Sequence, residues 1–193
     1  MNATSAPSRA FLFVRHGATD WNRDGRIQGR TDNPINDEGI AQAFAIARRL
    51  RPLRIDQIVT SPLLRAVKTA EIIAAPSATP VAVDKELIAF DYGNLEGQVI
   101  TDTMRTHGLM SVQDFVSILP LDSESWTSAG DRVLRCVGRW VSARPQGTVL
   151  FVSHDLIMQA LATKLCGKWF ANRYGTPYRF APTDEGWVVD EIY

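Results

Sequence analysis

The chain alternates between short apolar runs and longer amphipathic segments, and the apolar runs end abruptly at charged residues. The first run occupies residues 11–14 and is followed at once by Arg15, His16 and Gly17. Four consecutive apolar residues are typical of a strand that is buried on both faces of a sheet. Ligands bind at the carboxyl ends of strands in open α/β sheets. Arg15 and His16 are therefore expected at the mouth of a site, where Gly17 allows the backbone to turn closely around a ligand.

Helical periodicity alternates with further strands along the rest of the chain. Residues 37–50 place apolar side chains at helical spacing, and Asn36 precedes them as an N-cap. The other predicted strands cover residues 55–60, 80–83 and 147–153, and the other predicted helices run from Ser61-Pro62 to about residue 75, over 124–143 and from Asp155 onward. Loops are predicted at 18–35 and 84–97, one or two short helices at 98–122, and a hairpin in the tail. This order predicts an α/β fold, a three-layer sandwich whose mostly parallel central sheet carries helices on both faces.

The length of 193 residues predicts a single domain over residues 1–193. Residues 1–9 are mostly polar and are predicted to form a flexible tail. Segment 98–122 is a candidate lid over the site. No apolar run reaches membrane-spanning length, and the first ten residues lack the apolar core of a signal peptide. Cytoplasmic localisation is therefore the expectation.

Charge and cysteine content argue against several classes of protein. Lys plus Arg and Asp plus Glu both number 21, so the formal net charge is zero. Proteins that bind nucleic acids or membrane surfaces carry a basic excess, so neither partner is predicted. Cys136 and Cys166 lie among apolar neighbours in helical segments and are predicted to be reduced core residues. The oligomeric state is left open, a homodimer included.

Three predicted strands end at residues that can carry positive charge. The first delivers Arg15 and His16, the second is followed by Arg65 in the next helix, and the strand at 147–153 delivers His154. In a parallel sheet these ends lie at one edge, so the four side chains are expected to converge. Several cations in one place are costly unless they hold an anion. A phosphate fits, because arginine matches its oxygens with two parallel hydrogen bonds and helix N-termini add partial positive charge.

At these residues the chain resembles the histidine phosphatase superfamily, branch 1, the phosphoglycerate mutase-like proteins. The matching motifs are Arg15-His16-Gly17 with Asn22, Gln28-Gly29, Thr31-Asp32-Asn33-Pro34, Ser61-Pro62-Leu63-Leu64-Arg65-Ala66 with Thr69-Ala70, Gly93 with Glu96-Gly97, and Val152-Ser153-His154. They occur in the order typical of the family and span most of the chain. The resemblance implies the phosphoglycerate mutase-like fold.

The resemblance also implies roles for individual residues. His16 would be the nucleophile that accepts the phosphoryl group, and nearby cations favour its neutral form by lowering the pKa of the imidazole. Arg15, Arg65 and His154 would hold the phosphoryl oxygens. Asn22, Gln28 and Gly29 would contact the phosphate or the substrate. No cofactor and no metal are predicted, because these side chains supply the positive charge.

One position departs from the family pattern. Where the resemblance implies a glutamate that protonates the leaving oxygen, this chain has Ala89, and a methyl group cannot donate a proton. Glu86 and Asp91 are near in sequence but would need a shifted loop. Asp155 follows the late histidine, as in the acid phosphatases and phytases of the superfamily, and is our candidate acid. Its other interpretation is a carboxylate that stabilises a helix N-terminus. A further alternative is that Ala89 is an engineered replacement.

These observations predict a metal-independent phosphomonoesterase that hydrolyses a small phosphorylated metabolite through a phosphohistidine on His16. A phosphoglycerate-type phosphomutase is the alternative within enzymes, although the chain lacks a long insertion that would keep water from the phosphoenzyme. A catalytically impaired phosphate-binding protein is the alternative outside enzymes, because of Ala89. The sequence leaves the substrate open. Specificity is expected to come from segment 98–122 and from the arginines of residues 23–30.

Overall fold

The computed structural model describes residues 6–119 and 123–193. The strands are β1 (Phe11–Arg15), β2 (Gln57–Thr60), β3 (Val81–Val83), β4 (Val149–Ser153), β5 (Pro177–Thr183) and β6 (Gly186–Glu191). The α-helices are α1 (Asp20–Arg23), α2 (Asp37–Leu50), α3 (Leu64–Ala74), α4 (Ile100–His107), α5 (Trp126–Ser142) and α6 (Asp155–Cys166). Short 3₁₀ helices lie at Ala75–Ser77, Lys85–Leu87, Gly93–Leu95 and Val112–Ile118.

The strands form one sheet in the order β3-β2-β4-β1-β5-β6. The first four are parallel to one another, whereas β5 pairs antiparallel with β1 and β6 antiparallel with β5. In the register, Arg15 pairs with Ser153 and Thr60 pairs with Val152. The carboxyl ends of β1, β4 and β2 therefore lie side by side, and the predicted α/β fold with a mostly parallel sheet is confirmed.

The central strands are buried on both faces, as their continuous apolar sequences predict. Phe11 and Phe13 of β1 pack in a core cluster with residues of α5 and α6. Leu12 and Val14, which point to the opposite face, pack with residues of α2 and α3. The alternation within β1 thus places helices on both sides of the sheet, as predicted.

Helix α3 begins later than the Ser61-Pro62 pair predicts. Its first residue is Leu64, and no side chain of the N-cap residue closes the helix end. Instead, the Leu64 backbone N–H donates to Oδ1 of Asp32 at 2.7 Å. The N-cap residue is Leu63, so the predicted cap at Ser61 is wrong. The Ser61 hydroxyl instead lies 2.7 Å from Nε2 of His154 across the sheet edge.

Two other local predictions are corrected. The predicted loop at 18–35 contains α1, which starts from a capping box between Thr19 and Asn22. In α2 the predicted bounds and the Asn36 cap are confirmed. The spacing of apolar residues predicts a buried side formed by Ile40, Ala43, Phe44, Ala47 and Leu50. Ala43 and Leu50 are buried, but Phe44 is 51% exposed and Ile46 is buried in its place, so the core-facing side is rotated from the predicted one.

The predicted lid, segment 98–122, contains α4 and a 3₁₀ helix, in agreement with the predicted short helices. Ile100 and Phe115 of this segment pack in one apolar cluster with Ile27. Its residues 120–122 lie outside the described part of the chain, as do residues 1–5 of the predicted tail. Within the rest of that tail, Arg9 donates to the carbonyl oxygens of Val141 and Gly147, so this end is tied to the domain.

The two cysteines lie on helices, as predicted. Cys136 is buried in α5 and Cys166 is half-buried at the end of α6, and both are free thiols. None of the described helices is long and apolar enough to cross a membrane.

Candidate active site

Three predicted site residues meet at the carboxyl edge of the sheet. His16 directly follows β1, His154 is the N-cap of α6, and Arg65 is the second residue of α3. All three side chains are buried. The two imidazole rings lie 5.1 Å apart between centroids, and Arg65 Nε lies 3.3 Å from His16 Nε2. The side chains that follow the three strands therefore converge at one edge of the sheet, as predicted.

Two contacts select one tautomer of the His16 imidazole. Nδ1 lies 2.8 Å from the carbonyl oxygen of Gly17, which can only accept a hydrogen bond. Nε2 lies 3.3 Å from Arg65 Nε, which can only donate one. Nδ1 therefore carries the hydrogen and Nε2 presents its lone pair. Burial, followed by the charges of Arg65 and Arg15, holds the pKa of His16 well below its usual value, so the ring is neutral at pH 7.

His154 is held by a contact that joins two strand ends. Its Nε2 lies 2.7 Å from the Ser61 hydroxyl, which follows β2. Burial is the first cause that keeps the pKa of His154 well below its usual value, and the charge of Arg65 is the second. His154 is thus a second neutral imidazole facing the first.

Arg65 is fixed by backbone carbonyls of the loop before α2. Nη1 donates to the oxygen of Thr31 at 2.8 Å and Nη2 to that of Gly29 at 2.6 Å. Burial lowers the pKa of Arg65 to about 10, so the group is still protonated at neutral pH. A Cβ at Gly29 would overlap the Glu96 carboxylate. Gly29 therefore holds Arg65 through its carbonyl oxygen and packs closely against Glu96, and its contact with the substrate stays a prediction.

Arg15 and Asp155 form the half-exposed side of the site. Arg15 Nη1 donates to Asp155 Oδ2 at 3.1 Å, and Asn172 donates to the other carboxylate oxygen. The Arg15 guanidinium also lies over the Tyr174 ring, 3.8 Å from its centroid. Asp155 is the first residue of α6, so its negative charge stabilises that helix end. The same carboxylate pairs with Arg15, which is predicted to hold the phosphate.

Unpaired nitrogens mark where a ligand would bind. In the described part of the chain, the buried side-chain nitrogens without a partner are Arg15 Nε, Gln28 Nε2 and His154 Nδ1. Buried polar groups are nearly always hydrogen-bonded, so three such atoms in one site indicate a polar ligand. Gln28 is oriented by Thr19, whose hydroxyl donates to Oε1 at 2.6 Å.

A cavity opens beside these residues. Its lining includes the predicted site residues Arg15, His16, Asn22, Gln28, His154 and Asp155, together with Ala89. The predicted site residues Arg65 and Gly29 are not among the lining residues. Of the loop arginines, Arg26 lines it, whereas Arg23 and Arg30 do not. His107 is exposed and does not line the cavity.

Asp155 is the one carboxylate among the described residues that line the cavity. Glu86, which was an alternative acid, pairs with Arg139 at 2.9 Å. Asp91, the other alternative, pairs with Arg30 at 2.9 Å. Neither of these carboxylates lines the cavity, which leaves Asp155 as the candidate acid.

One group of potential metal ligands lies elsewhere, formed by Asp84, Glu86 and Cys136. Asp84 Oδ2 accepts hydrogen bonds from Arg139 at 2.6 Å and from Trp140 at 2.7 Å. These contacts already neutralise and occupy the oxygens, and none of the three residues lines the cavity. The group is therefore a structural ion-pair network.

The sequence motifs include Glu96 and Gly17, but the supporting contacts of these two residues were not predicted. Glu96 accepts from the backbone N–H groups of Arg30 and Thr31, both at 2.8 Å, and so shapes the loop that holds Arg65. Gly17 is required for packing, because a Cβ there would overlap the backbone of Gly39 in α2. A motif match places such residues near the site, but their contacts depend on tertiary packing.

Comparison with known proteins identifies the family. The sequence model described as "Histidine phosphatase superfamily (branch 1)" matches residues 11–187. The chain belongs to this superfamily. A Bacillus subtilis relative named "Uncharacterized phosphatase PhoE" is 34% identical over 158 residues, which cover 82% of this chain and 78% of the relative. A Citrobacter koseri relative named "Probable phosphoglycerate mutase GpmB" is 35% identical over 159 residues, covering 80% and 74%.

Solved structures of proteins named as phosphatases have the same fold. A mycobacterial glucosyl-3-phosphoglycerate phosphatase complexed with VO₃ superimposes with a TM-score of 0.83 at 22% identity, covering 95% of this chain and 98% of the other. The phosphoserine phosphatase of Entamoeba histolytica, in complex with 3-phosphoglyceric acid, gives a TM-score of 0.79 at 24% identity, covering 95% and 96%. These likenesses confirm the predicted phosphoglycerate mutase-like fold.

Proposed function

We propose that this histidine phosphatase hydrolyses a small phosphorylated metabolite through a phosphohistidine on Nε2 of His16. The observation that carries the proposal is the tautomer of this ring. The Gly17 carbonyl holds the hydrogen on Nδ1, and the lone pair of Nε2 points toward Arg65, where a phosphate would be bound. A neutral, oriented imidazole beside a cation is the state that attack on phosphorus requires.

The reaction proceeds in two displacements. Nε2 of His16 attacks phosphorus, the ester P–O bond breaks, and the phosphoryl group is now joined to nitrogen. Arg15 and Arg65 stabilise the charge that spreads over the phosphoryl oxygens. In this mechanism the Ser61 hydroxyl donates to Nε2 of His154, so the ring hydrogen is on Nδ1. Nδ1, which has no partner in the free protein, then donates to another phosphoryl oxygen. Water then attacks phosphorus, the P–N bond breaks, and inorganic phosphate and neutral imidazole result.

Asp155 is our proposed proton donor for the leaving oxygen. It is the described carboxylate that lines the cavity, and Ala89 stands in the same wall. Its two oxygens accept from Arg15 and Asn172 in the free protein. A bound phosphate competes for Arg15, so substrate binding releases one carboxylate oxygen to carry a proton.

A phosphomutase is the second enzyme function to test, because relatives 33–35% identical are named "Probable phosphoglycerate mutase GpmB". The two functions share the first displacement and differ in the acceptor. A hydrolase passes the phosphoryl group to water, and a mutase returns it to a second hydroxyl of the substrate.

The experiment is phosphate release from p-nitrophenyl phosphate in excess chelator. This ester has a good leaving group, so it tests the nucleophile without requiring the acid. We expect turnover that is lost in His16→Ala and retained in the control His107→Ala, because His107 is exposed and outside the cavity. Tight binding of vanadate without turnover of any ester would instead identify a phosphate-binding protein. Transfer of label from ³²P-labelled enzyme to 3-phosphoglycerate, without release of phosphate, would identify a mutase.

A further inference from the structure

We propose that the alcohol part of the substrate is apolar, an inference that rests on the phosphatase function proposed above. The cavity beside His16 has a volume of about 120 Å³. Beyond the polar residues assigned to the phosphate, its described walls are largely apolar. They include Ile27, Phe90, Tyr92, Ile100, Phe115 and Leu156. An ester bound through its phosphate would place its alcohol carbon atoms against this surface.

The apolar wall is held firmly in place. The backbone N–H of Ile27 donates to the carbonyl oxygen of Gln98 at 2.9 Å, and the backbone N–H of Ile100 donates to the carbonyl oxygen of Gly25 at 2.8 Å. Phe115 is 2% exposed and packs with Ile27 in the same cluster. The segment predicted as a lid is therefore joined to the loop that carries the polar site residues, and the wall is preformed for a ligand.

Ala89 extends the apolar surface. Its side chain is buried and lines the cavity, at the position where the family resemblance implies a glutamate. A carboxylate there would add charge next to the leaving oxygen, whereas the methyl group adds only apolar area. Tyr92 continues this surface, and burial raises the pKa of its hydroxyl, so the group is a neutral phenol.

Among the loop arginines, the cavity offers an acidic alcohol one cation, Arg26. A carboxylate or second phosphate on the substrate would need a cation beyond those that hold the first phosphate. Arg23 pairs with Asp20, and Arg30 pairs with Asp91. Arg26 lines the cavity, but it is exposed and its Nη1 donates to the carbonyl oxygen of Gly97 at 2.8 Å.

The first test measures binding without turnover. Ethyl-, butyl- and hexylphosphonate are compared as inhibitors of p-nitrophenyl phosphate hydrolysis, or by direct calorimetry if that ester is not hydrolysed. Each methylene that enters an apolar site improves binding about fourfold, so the inhibition constant should fall about 15-fold from ethyl to butyl. A constant that does not change with chain length would overturn the proposal, even if the phosphatase function holds.

The second test compares butyl phosphate with its analogue that ends in a carboxylate, 4-phosphooxybutanoate. The two esters release alcohols with similar leaving-group chemistry, so the ratio of the kcat/KM values of the esters reports on how the alcohol part of the substrate binds. We expect butyl phosphate to be preferred by at least about tenfold, because the carboxylate would be desolvated without a partner. A preference for the carboxylate that is lost in Arg26→Gln would refute the inference and identify an acidic substrate.

A pair of variants locates the effect. Ile100→Asn places a polar group in the wall and should reduce the butyl-to-ethyl preference to below about threefold, since a methylene against a polar surface gains little. Met110→Gln is the matched control in the same segment, because Met110 is 90% exposed and does not line the cavity. It should leave the preference unchanged. If Ile100→Asn keeps the same butyl-to-ethyl preference as Met110→Gln, the alkyl group of the substrate binds elsewhere and the proposal is overturned.

Discussion

Replacement of Asp155 by Asn tests the proposed proton donor with little change in shape. The amide keeps the size of the side chain at the first position of α6 and can still accept a hydrogen bond from Arg15 or Asn172, although it cannot donate an acidic proton. Two effects are expected, loss of the acid and loss of the ion pair with Arg15, and they differ in how they depend on the substrate.

The sizes of the two effects separate them. Loss of a general acid costs about 10²–10⁴ in rate for a poor leaving group and little for p-nitrophenolate, which leaves without a proton. The Asp155 side chain is 38% exposed, so its ion pair with Arg15 is screened by water. Such a pair is worth at most about 1 kcal/mol, or about fivefold in rate, and this factor applies to both esters.

The assay is therefore the ratio of kcat/KM for butyl phosphate to that for p-nitrophenyl phosphate. In Asp155→Asn we expect this ratio to fall by about 10² or more, with a steeper dependence of rate on leaving-group pKa across an aryl series. Asn172→Ala is the control, because it removes the other partner of Asp155 and keeps the carboxyl group. Equal losses on both esters in Asp155→Asn would refute the acid role and leave Asp155 as a partner of Arg15.

Three further predictions follow from the same structure. Because Asp155 supplies the proton in our proposal, Ala89→Glu should raise the butyl phosphate rate by less than about tenfold, and a gain of about 10² or more would show that the acid is missing. Burial lowers the pKa values of His16 and His154, so the unfolded chain binds more protons below pH 6.5 and stability falls there. Each histidine can contribute at most about 1.4 kcal/mol over this range, so the free energy of unfolding in urea should drop by up to about 2.7 kcal/mol from pH 7.5 to 5.5, with a smaller drop in His16→Ala. Gly17→Ala should cost about 1–3 kcal/mol, read as a lower Tm, because the new methyl group overlaps the backbone of Gly39; an unchanged Tm would contradict this.

The fold could be predicted largely because its central strands are short and buried on both faces. The apolar run before Arg15 has no alternation, which is typical of a central parallel strand, and the structure has β1 in that position. The bounds of α2 followed from its cap and its first-turn acids. Its buried face did not, because Phe44 and Ile46 are both apolar and tertiary packing decides between them.

The candidate site could be predicted as a set of residues but not as a set of contacts. Ser61 before a proline is typical of a helix cap, and sequence alone does not show that β4 carries His154 next to it. Asp32 caps α3 from 32 residues away, which no local pattern indicates. The residues were found because strand ends carry them, whereas their partners come from distant segments.

The difference between the two arginines illustrates what the contacts add. In sequence, Arg15 and Arg65 are equivalent cations near a strand end. In the structure, Arg65 is buried and bound to the loop that Glu96 shapes, so its position is set before a ligand arrives. Arg15 is half-buried, and its partners Asp155 and Tyr174 lie on the open side. A phosphate can exchange with the partners of Arg15 but not with those of Arg65. Arg65 therefore orients His16 in the free protein, and in our proposal Arg15 couples arrival of the phosphate to release of the Asp155 carboxylate.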